Sequence, residues 1–268
     1  LSRHVIGVCR EEKYDSINID LIYGLPHQTV ESFEKTVDKI IEINPDRMAV
    51  FNFAYVPWMK PIQKSIKEED LPSVEEKFKI LKMVIEKFTT AGYVYVGMDH
   101  FAKPDDELFV AQKNKTLYRN FQGYTTKAGC DLYGLGATSI GQVGNCYVQN
   151  KHELPDYFQA IEEGKLPTWR GYELNEDDIM RRYIITRIMC DFELEFADVE
   201  EKFNLDFKKF FALELSELEP MTKDNLLTIS DDKIVVSDFG RILIRNIAMV
   251  FDIYLRKPTK EMRFSKTV

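Results

Sequence analysis

The chain has 268 residues, 44% of them hydrophobic and 30% charged, and a formal net charge of −8. That length can bury a sizeable core in one large domain or two smaller ones. The acidic balance argues against a general nucleic-acid surface, and no stretch approaches the roughly 20 apolar residues of a membrane span.

The first residue is Leu1, and helix-like sequence is already in progress there, which predicts that the chain is a piece of something longer. No signal-peptide pattern is seen, so a cytoplasmic location is the expectation. The strongest element follows. Ile17 to Tyr23 reads as a strand buried on both faces, because apolar residues run through it almost without alternation. Asn18 and Asp20 interrupt that run. A carboxylate in such a setting is costly without a partner, so Asp20 is either hydrogen-bonded within the framework or holds a ligand. Gly24 and Pro26 end the strand in a turn, at the end where ligands gather in parallel α/β folds.

Thr29 caps a helix whose apolar residues Phe33, Val37, Ile40 and Ile41 recur at helical spacing, and Asn44-Pro45-Asp46 stops it. Met48 to Ala54 forms a second strand. Ser73 and Glu76 form a capping box for a helix that places Phe78, Leu81, Val84, Ile85 and Phe88 on one stripe, with Gly92 at its end. Tyr93 to Met98 is a third strand, which delivers Asp99-His100-Phe101 to the same end. Alternating strands and helices imply right-handed crossovers and a parallel sheet. Three or four parallel strands would leave a bare edge, which again favours a truncated barrel.

From Lys103 to about Pro167 the pattern loosens. Arg119 to Thr126 has no clear period and reads as a loop, while Gly134, Gly136, Gly141 and Gly144 punctuate a short apolar segment as structural turns. Near Tyr172 the character changes. Asn175 caps a helix with Met180, Tyr183, Ile184 and Ile188 buried. Helices follow over Asp198 to Phe203 and Phe207 to Leu218, then a hairpin around Asp231-Asp232 and a last helix from Phe239 to Leu255. The expected division is 1–170 and 171–268, the second part mostly helical and winged-helix-like. Cys9, Cys130, Cys146 and Cys190 are scattered without close ligand spacing, so no metal site is evident and reduced thiols are expected.

Several strings carry a resemblance: Asn18 to Pro26, Asn44-Pro45-Asp46-Arg47, Gly97 to Ala102, Asp105 to Leu108, Arg119 to Thr126, and Gly240-Arg241 with Ile244 to Ile247. Together they resemble the carboxyl-terminal part of the oxygen-independent coproporphyrinogen III oxidase (dehydrogenase) family. The resemblance implies the second half of a parallel (β/α) radical-SAM barrel followed by the helical part. It implies S-adenosylmethionine (SAM) and a 4Fe-4S cluster as cofactors, the cluster held by a CxxxCxxC motif this chain does not contain. The family's substrate is coproporphyrinogen III, two of whose propionates become vinyl groups; its electron donor and catalytic side chains are not indicated. Because the cluster ligands are missing, the polypeptide alone is expected to be inactive.

By the same resemblance, Asp20 meets the cluster-bound SAM through ribose hydroxyls, and Ala54 lines the same molecule with backbone groups left accessible. Phe121, Gln122 and Ile140 match positions around a second SAM. Asp99 and His100 have no assigned role, with facing the substrate and a strand-terminal hydrogen bond as equal alternatives. The basic residues Arg241, Arg245 and those from Arg256 onward would suit a substrate with four propionates, but a solvated helix face and tail are the expectation for most of them. Two rivals remain. One is the haem chaperone branch of the same superfamily, disfavoured by the strings at Asp99 and Arg119. The other is a winged-helix nucleic-acid-binding module, disfavoured by the acidic balance and the lack of a basic recognition helix.

Overall fold

The structure is a computed structural model and describes residues 2–256. Its contacts divide them into two compact units, one over 2–114 and one over Lys115–Leu255.

The first unit opens with helix α1 (Ser2–Glu11), strand β1 (Asn18–Tyr23) and helix α2 (Val30–Ile43). Thr29 and Ser32 reciprocate at the start of α2 as a capping box, and Asn44 closes it in the left-handed conformation at φ 56°. Phe33, Val37 and Ile40 are buried along its inner stripe. Strand β2 (Arg47–Asn52) pairs parallel with β1, and α3 (Val74–Thr90) follows.

The end of α3 satisfies its own last carbonyls. Gly92 at φ +91° lets its N–H reach Thr89 O and lets Tyr93 N–H reach Phe88 O, while the Phe88 and Tyr93 rings meet at 5.9 Å. Its start differs from expectation. Ser73 caps Glu76 N–H, but the Glu76 carboxylate does not return to the cap; it accepts from Val30 N–H at 3.1 Å, at the start of α2. The buried stripe is Ile80, Leu81, Val84 and Phe88, with Phe78 exposed.

The sheet corrects two expectations. Strand β3 (Val94–Gly97) turns back through Met98 and Asp99 into β4 (His100–Ala102), and β4 lies antiparallel between β2 and β3. The sheet is therefore mixed, in the order β1-β2-β4-β3. The turn needs backbone that helices cannot supply: Gly97 is at φ 141° and Met98 at φ 53°. Nor is β1 buried on both faces. Among the described residues it is an edge strand whose burial alternates, with Leu21 and Tyr23 buried and Asn18, Asp20 and Ile22 exposed. The Tyr23 ring meets Phe33 of α2 and the Phe101 ring meets Phe88 of α3, so the helices cover the face carrying Leu21, Val50 and Phe101. The unit ends with α4 (Glu107–Lys113), capped by Asp106, whose second oxygen takes Arg47 Nε at 2.6 Å.

The second unit begins where the sequence reads as a loop. Tyr118–Asn120 (β5) and Gly123–Thr125 (β6) form a hairpin around Phe121-Gln122. A three-stranded antiparallel sheet follows: β7 (Ile140–Val143), β8 (Cys146–Asn150) and, after α5 (Leu154–Glu162), β9 (Thr168–Glu173). The compact units part at 114/115, and β9 runs across residue 170.

Helix α6 (Glu176–Asp191) starts at an Asn175–Asp178 capping box. After it come β10 (Glu193–Glu195), α7 (Phe196–Phe203), α8 (Phe207–Phe210), α9 (Ala212–Lys223), β11 (Leu227–Ile229) and β12 (Lys233–Val236). These three strands form an antiparallel sheet in the order β10-β12-β11, so β10 joins the expected hairpin. The rings of Phe196, Phe207, Phe211 and Phe251 contact in series at 4.3, 4.9 and 5.7 Å and form the core here. The single last helix of the sequence reading is broken: a 3-10 turn (Gly240–Leu243), α10 (Ile244–Met249) and a second 3-10 turn (Ile253–Arg256). Asp252 Oδ1 accepts from Tyr254 N–H, a local bond that starts a new turn rather than continuing the old one.

Candidate functional site

In the first unit Asp20 stands at mid-strand on the exposed side of β1, opposite Ala49 of β2. Its hydrogen-bonding side-chain neighbour is Asn18, whose Nδ2 donates to Oδ1 at 2.7 Å. Among the described residues the desolvation argument for Asp20 falls, because helices pack on one face of β1 and its polar residues stand on the other. What survives is an accessible carboxylate that the framework barely uses. Ile22 and Phe51, also exposed, lie on the same side.

Ala54 follows the end of β2 and is exposed. Its carbonyl is not open as expected: Gln63 Nε2 donates to it at 3.0 Å while Gln63 Oε1 accepts from Val56 N–H. At the tip of β1, Gly24 is required twice over, by φ +83° and because a Cβ there would lie 2.9 Å from Asn52 Oδ1, a buried atom with no hydrogen-bond partner among the described residues. Asp99 and His100 are joined by a 2.7 Å Oδ1···Nδ1 contact, and the His100 ring meets Phe51 edge-on. Burial, reinforced by the Asp99 charge, pushes the Tyr23 hydroxyl up to about 12.

In the second unit the β5–β6 hairpin, β7, β8, α6 and the segment after α10 enclose a cavity of about 520 Å³, within the range of small-molecule sites. Phe121 lines it from the hairpin turn, its ring 5.0 Å from that of Tyr147. Gln122, next to it, is exposed, with its N–H held by Asn120 Oδ1. Ile140 is half-buried at the start of β7, and Gln142, two residues on and on the same strand face, lines the cavity. The structure therefore gathers Phe121 and the strand of Ile140 about one cavity.

Helix α6 supplies the charged wall. Arg181 binds both oxygens of Asp177, reaches the buried Glu214 at 2.8 Å and Phe251 O at 3.1 Å, and lies over the Phe211 ring. Asp178 accepts from the Tyr254 and Tyr172 hydroxyls at 2.7 and 3.3 Å, and those two hydroxyls also bond each other. This network raises the Tyr254 phenol, first through its bond to Tyr172. Arg182 sits over the Tyr147 ring, with a buried Nη1 that has no acceptor among the described residues. The hairpin is tied to α6 by the Tyr124 hydroxyl on Met189 O.

Sequence reasoning missed Tyr147, Arg182 and Tyr254, which come from three elements far apart in the chain. The one available signal was the pair of three-residue runs flanking Phe121-Gln122, short enough to pass for a loop. Among the described residues no group of three or more His, Cys, Asp or Glu side chains could hold a metal ion. Cys190 is buried at the end of α6, and that burial pushes its thiol up to about 12. Arg241 lies 4.5 Å over the Phe192 ring and 3.5 Å from Asp238, while Arg245 is exposed. The basic positions after Arg256 lie outside the described residues.

Comparison with known proteins places this architecture. The superposition on coproporphyrinogen III oxidase (HemN) from Escherichia coli, described as a radical SAM enzyme, has a TM-score of 0.91 at 46% identity and covers 94% of this chain and 58% of that one. The mixed α/β fold is thus one that a radical SAM enzyme uses. The HemN C-terminal domain family matches residues 174–243. The chain is 49% identical to the oxygen-independent coproporphyrinogen III oxidase of Synechocystis sp. and 47% to that of Escherichia coli K12, in each case over 98% of its own length and 58% of the relative's. With the Thermostichus vulcanus enzyme of that name it shares 48% identity over 80% of the relative. This chain belongs to the oxygen-independent coproporphyrinogen III oxidase family. It spans somewhat more than half the length of the first two relatives.

Proposed function

We propose that this chain forms part of a radical SAM enzyme that oxidatively decarboxylates two propionates of coproporphyrinogen III to the vinyl groups of protoporphyrinogen IX. The first unit would be a portion of a (β/α) barrel. The part from residue 171 onward would be winged-helix-like, a reading supported by the sequence α6, β10, α7, α8–α9, β11, β12 around one small antiparallel sheet. The observation that carries the functional reading is the Asp20 carboxylate, exposed on the uncovered side of β1 in a chain 46% identical to a radical SAM enzyme.

Asp20 is free to accept two ribose hydroxyls, which suits a carboxylate with lone pairs to spare. Ala54 would line the same molecule by its small side chain, since its carbonyl is held by Gln63. Phe121, Gln122 and Ile140 would surround a second SAM, with the Phe121 ring offering a packing surface and the Gln122 amide both a donor and an acceptor. A 4Fe-4S cluster does not fit the described residues, and none of the four cysteines stands in CxxxCxxC spacing. Its ligands would lie outside these 268 residues, and a polypeptide of these residues alone should be inactive. The cluster and SAM, when bound, supply the one-electron chemistry; this chain positions SAM and substrate.

The test is anaerobic conversion of coproporphyrinogen III by protein carrying both these residues and a cluster-binding segment. Formation of protoporphyrinogen IX supports the reading. Stable haem binding without decarboxylation would replace it with the haem chaperone. Turnover by the 268 residues alone would overturn the placement of the cluster.

A further inference from the structure

Two cationic side chains that line the cavity of the second unit, Arg182 and Arg119, make no ion pair among the described residues. Of its charged lining residues, Arg181 is neutralised by Asp177 and Glu214, Asp178 is held by two tyrosine hydroxyls and by Asn175 N–H, and Asp252 accepts from Tyr254 N–H. Arg182 differs. It makes no ion pair among the described residues, rests on the Tyr147 ring, and has a buried Nη1 without an acceptor. A guanidinium stripped of water on one edge and left without an anion is costly. Its planar fork matches a carboxylate, and Arg119 lines the same cavity from the hairpin.

We propose that Arg182, assisted by Arg119, is a carboxylate-binding subsite in this cavity, oriented by the Tyr147 ring beneath it. The inference rests on the reading above, which offers two carriers of that chemistry: a propionate of the substrate and the methionine carboxylate of SAM. Apolar lining from Phe121, Ile185 and Met189 would hold the rest of either molecule.

The experiment measures binding to the full chain by equilibrium dialysis and fluorescence quenching. Its probes are SAM against 5′-methylthioadenosine, which lacks the carboxylate, and coproporphyrin III against its tetramethyl ester. Arg182→Met removes the charge, and Arg182→Lys keeps charge and length but loses the fork; circular dichroism checks that each folds. The expected result is a loss of about tenfold to a hundredfold for the carboxylate-bearing member of one pair, as for a charge-assisted hydrogen bond, with its carboxylate-free counterpart unchanged. The pair that responds identifies the carrier. Equal affinity in wild type and both variants would overturn the subsite alone. Equal loss for both members of a pair would also overturn it, assigning Arg182 to the framework. Failure of the wild-type chain to bind any probe would remove both the subsite and the ligand placement it rests on. Should Arg182→Met not fold, Arg182→Lys decides by the same criteria.

Discussion

Replacing Asp20 by Asn or Ala removes a carboxylate that the sheet hardly uses, so binding and folding should respond very differently. The side chain is exposed and accepts a hydrogen bond from Asn18, two residues away on the same strand. An exposed bond of that kind contributes at most about 1 kcal/mol, and no packing is lost with it. Chemical denaturation of Asp20→Asn should therefore give a midpoint close to wild type. Binding is another matter. If the carboxylate accepts two ribose hydroxyls, each charge-assisted bond is worth about 1.5–3 kcal/mol. Even one lost in full weakens binding by roughly ten- to a hundredfold at 1.4 kcal/mol per decade. Equilibrium dialysis of labelled SAM against the cluster-loaded protein is the direct assay. A change in SAM affinity below threefold, or a loss of stability above about 2 kcal/mol, would refute the assignment, since Asp20 would then be either idle or structural.

Three further outcomes follow from the packing. A Cβ at Gly240 would lie 1.9 Å from Leu226 O, and backbone cannot yield as a flexible side chain does; Gly240→Ala should lose at least about 1–3 kcal/mol in urea melts, and an unchanged midpoint would contradict the packing. Glu214 is 3% exposed and holds Arg181, so Glu214→Ala should cost about 3–5 kcal/mol, read in thermal unfolding and overturned by a loss under 1 kcal/mol. Burial raises the Asp191 carboxyl to about 6 despite its ion pair with Arg187. A folded-state value raised above 3.8 means a stabilisation complete below about pH 3.8 and lost as pH climbs through 6. At 1.4 kcal/mol per pH unit, discounted for solvent screening, the loss is about 1–2 kcal/mol, and Asp191→Asn should flatten that part of the stability–pH curve.

Local signals were legible where one residue type has one physical use. Thr29 and Asn175 cap because their oxygens meet free N–H groups, and Gly92 ends α3 because only a left-handed residue lets its last carbonyls be satisfied. The resemblance strings foretold the family as well, since long ungapped runs carry chemistry that periodicity does not. What stayed hidden was decided by neighbours. Asp20 sits in an apolar run that looks buried, but whether both faces of a strand are covered depends on what packs there, and α2 and α3 cover only one. The short β4 inserts between β2 and β3 through a three-residue pairing that leaves almost no pattern in the sequence.

The cavity shows the same division of labour at the candidate site. Phe121 is visible from its string, yet what gives that string a use is Tyr147 on β8 and Arg182 on α6, each unremarkable in its own segment. Arg182 by itself reads as one more polar residue on a helix. It becomes a site residue only because the neighbouring acids are already engaged, Asp177 and Glu214 by Arg181 and Asp178 by tyrosines. A sequence records which charges are present, whereas the unfilled hydrogen-bonding capacity that attracts a ligand is a difference between charges and partners. That difference exists only after the helix, the hairpin and the strands have been brought together.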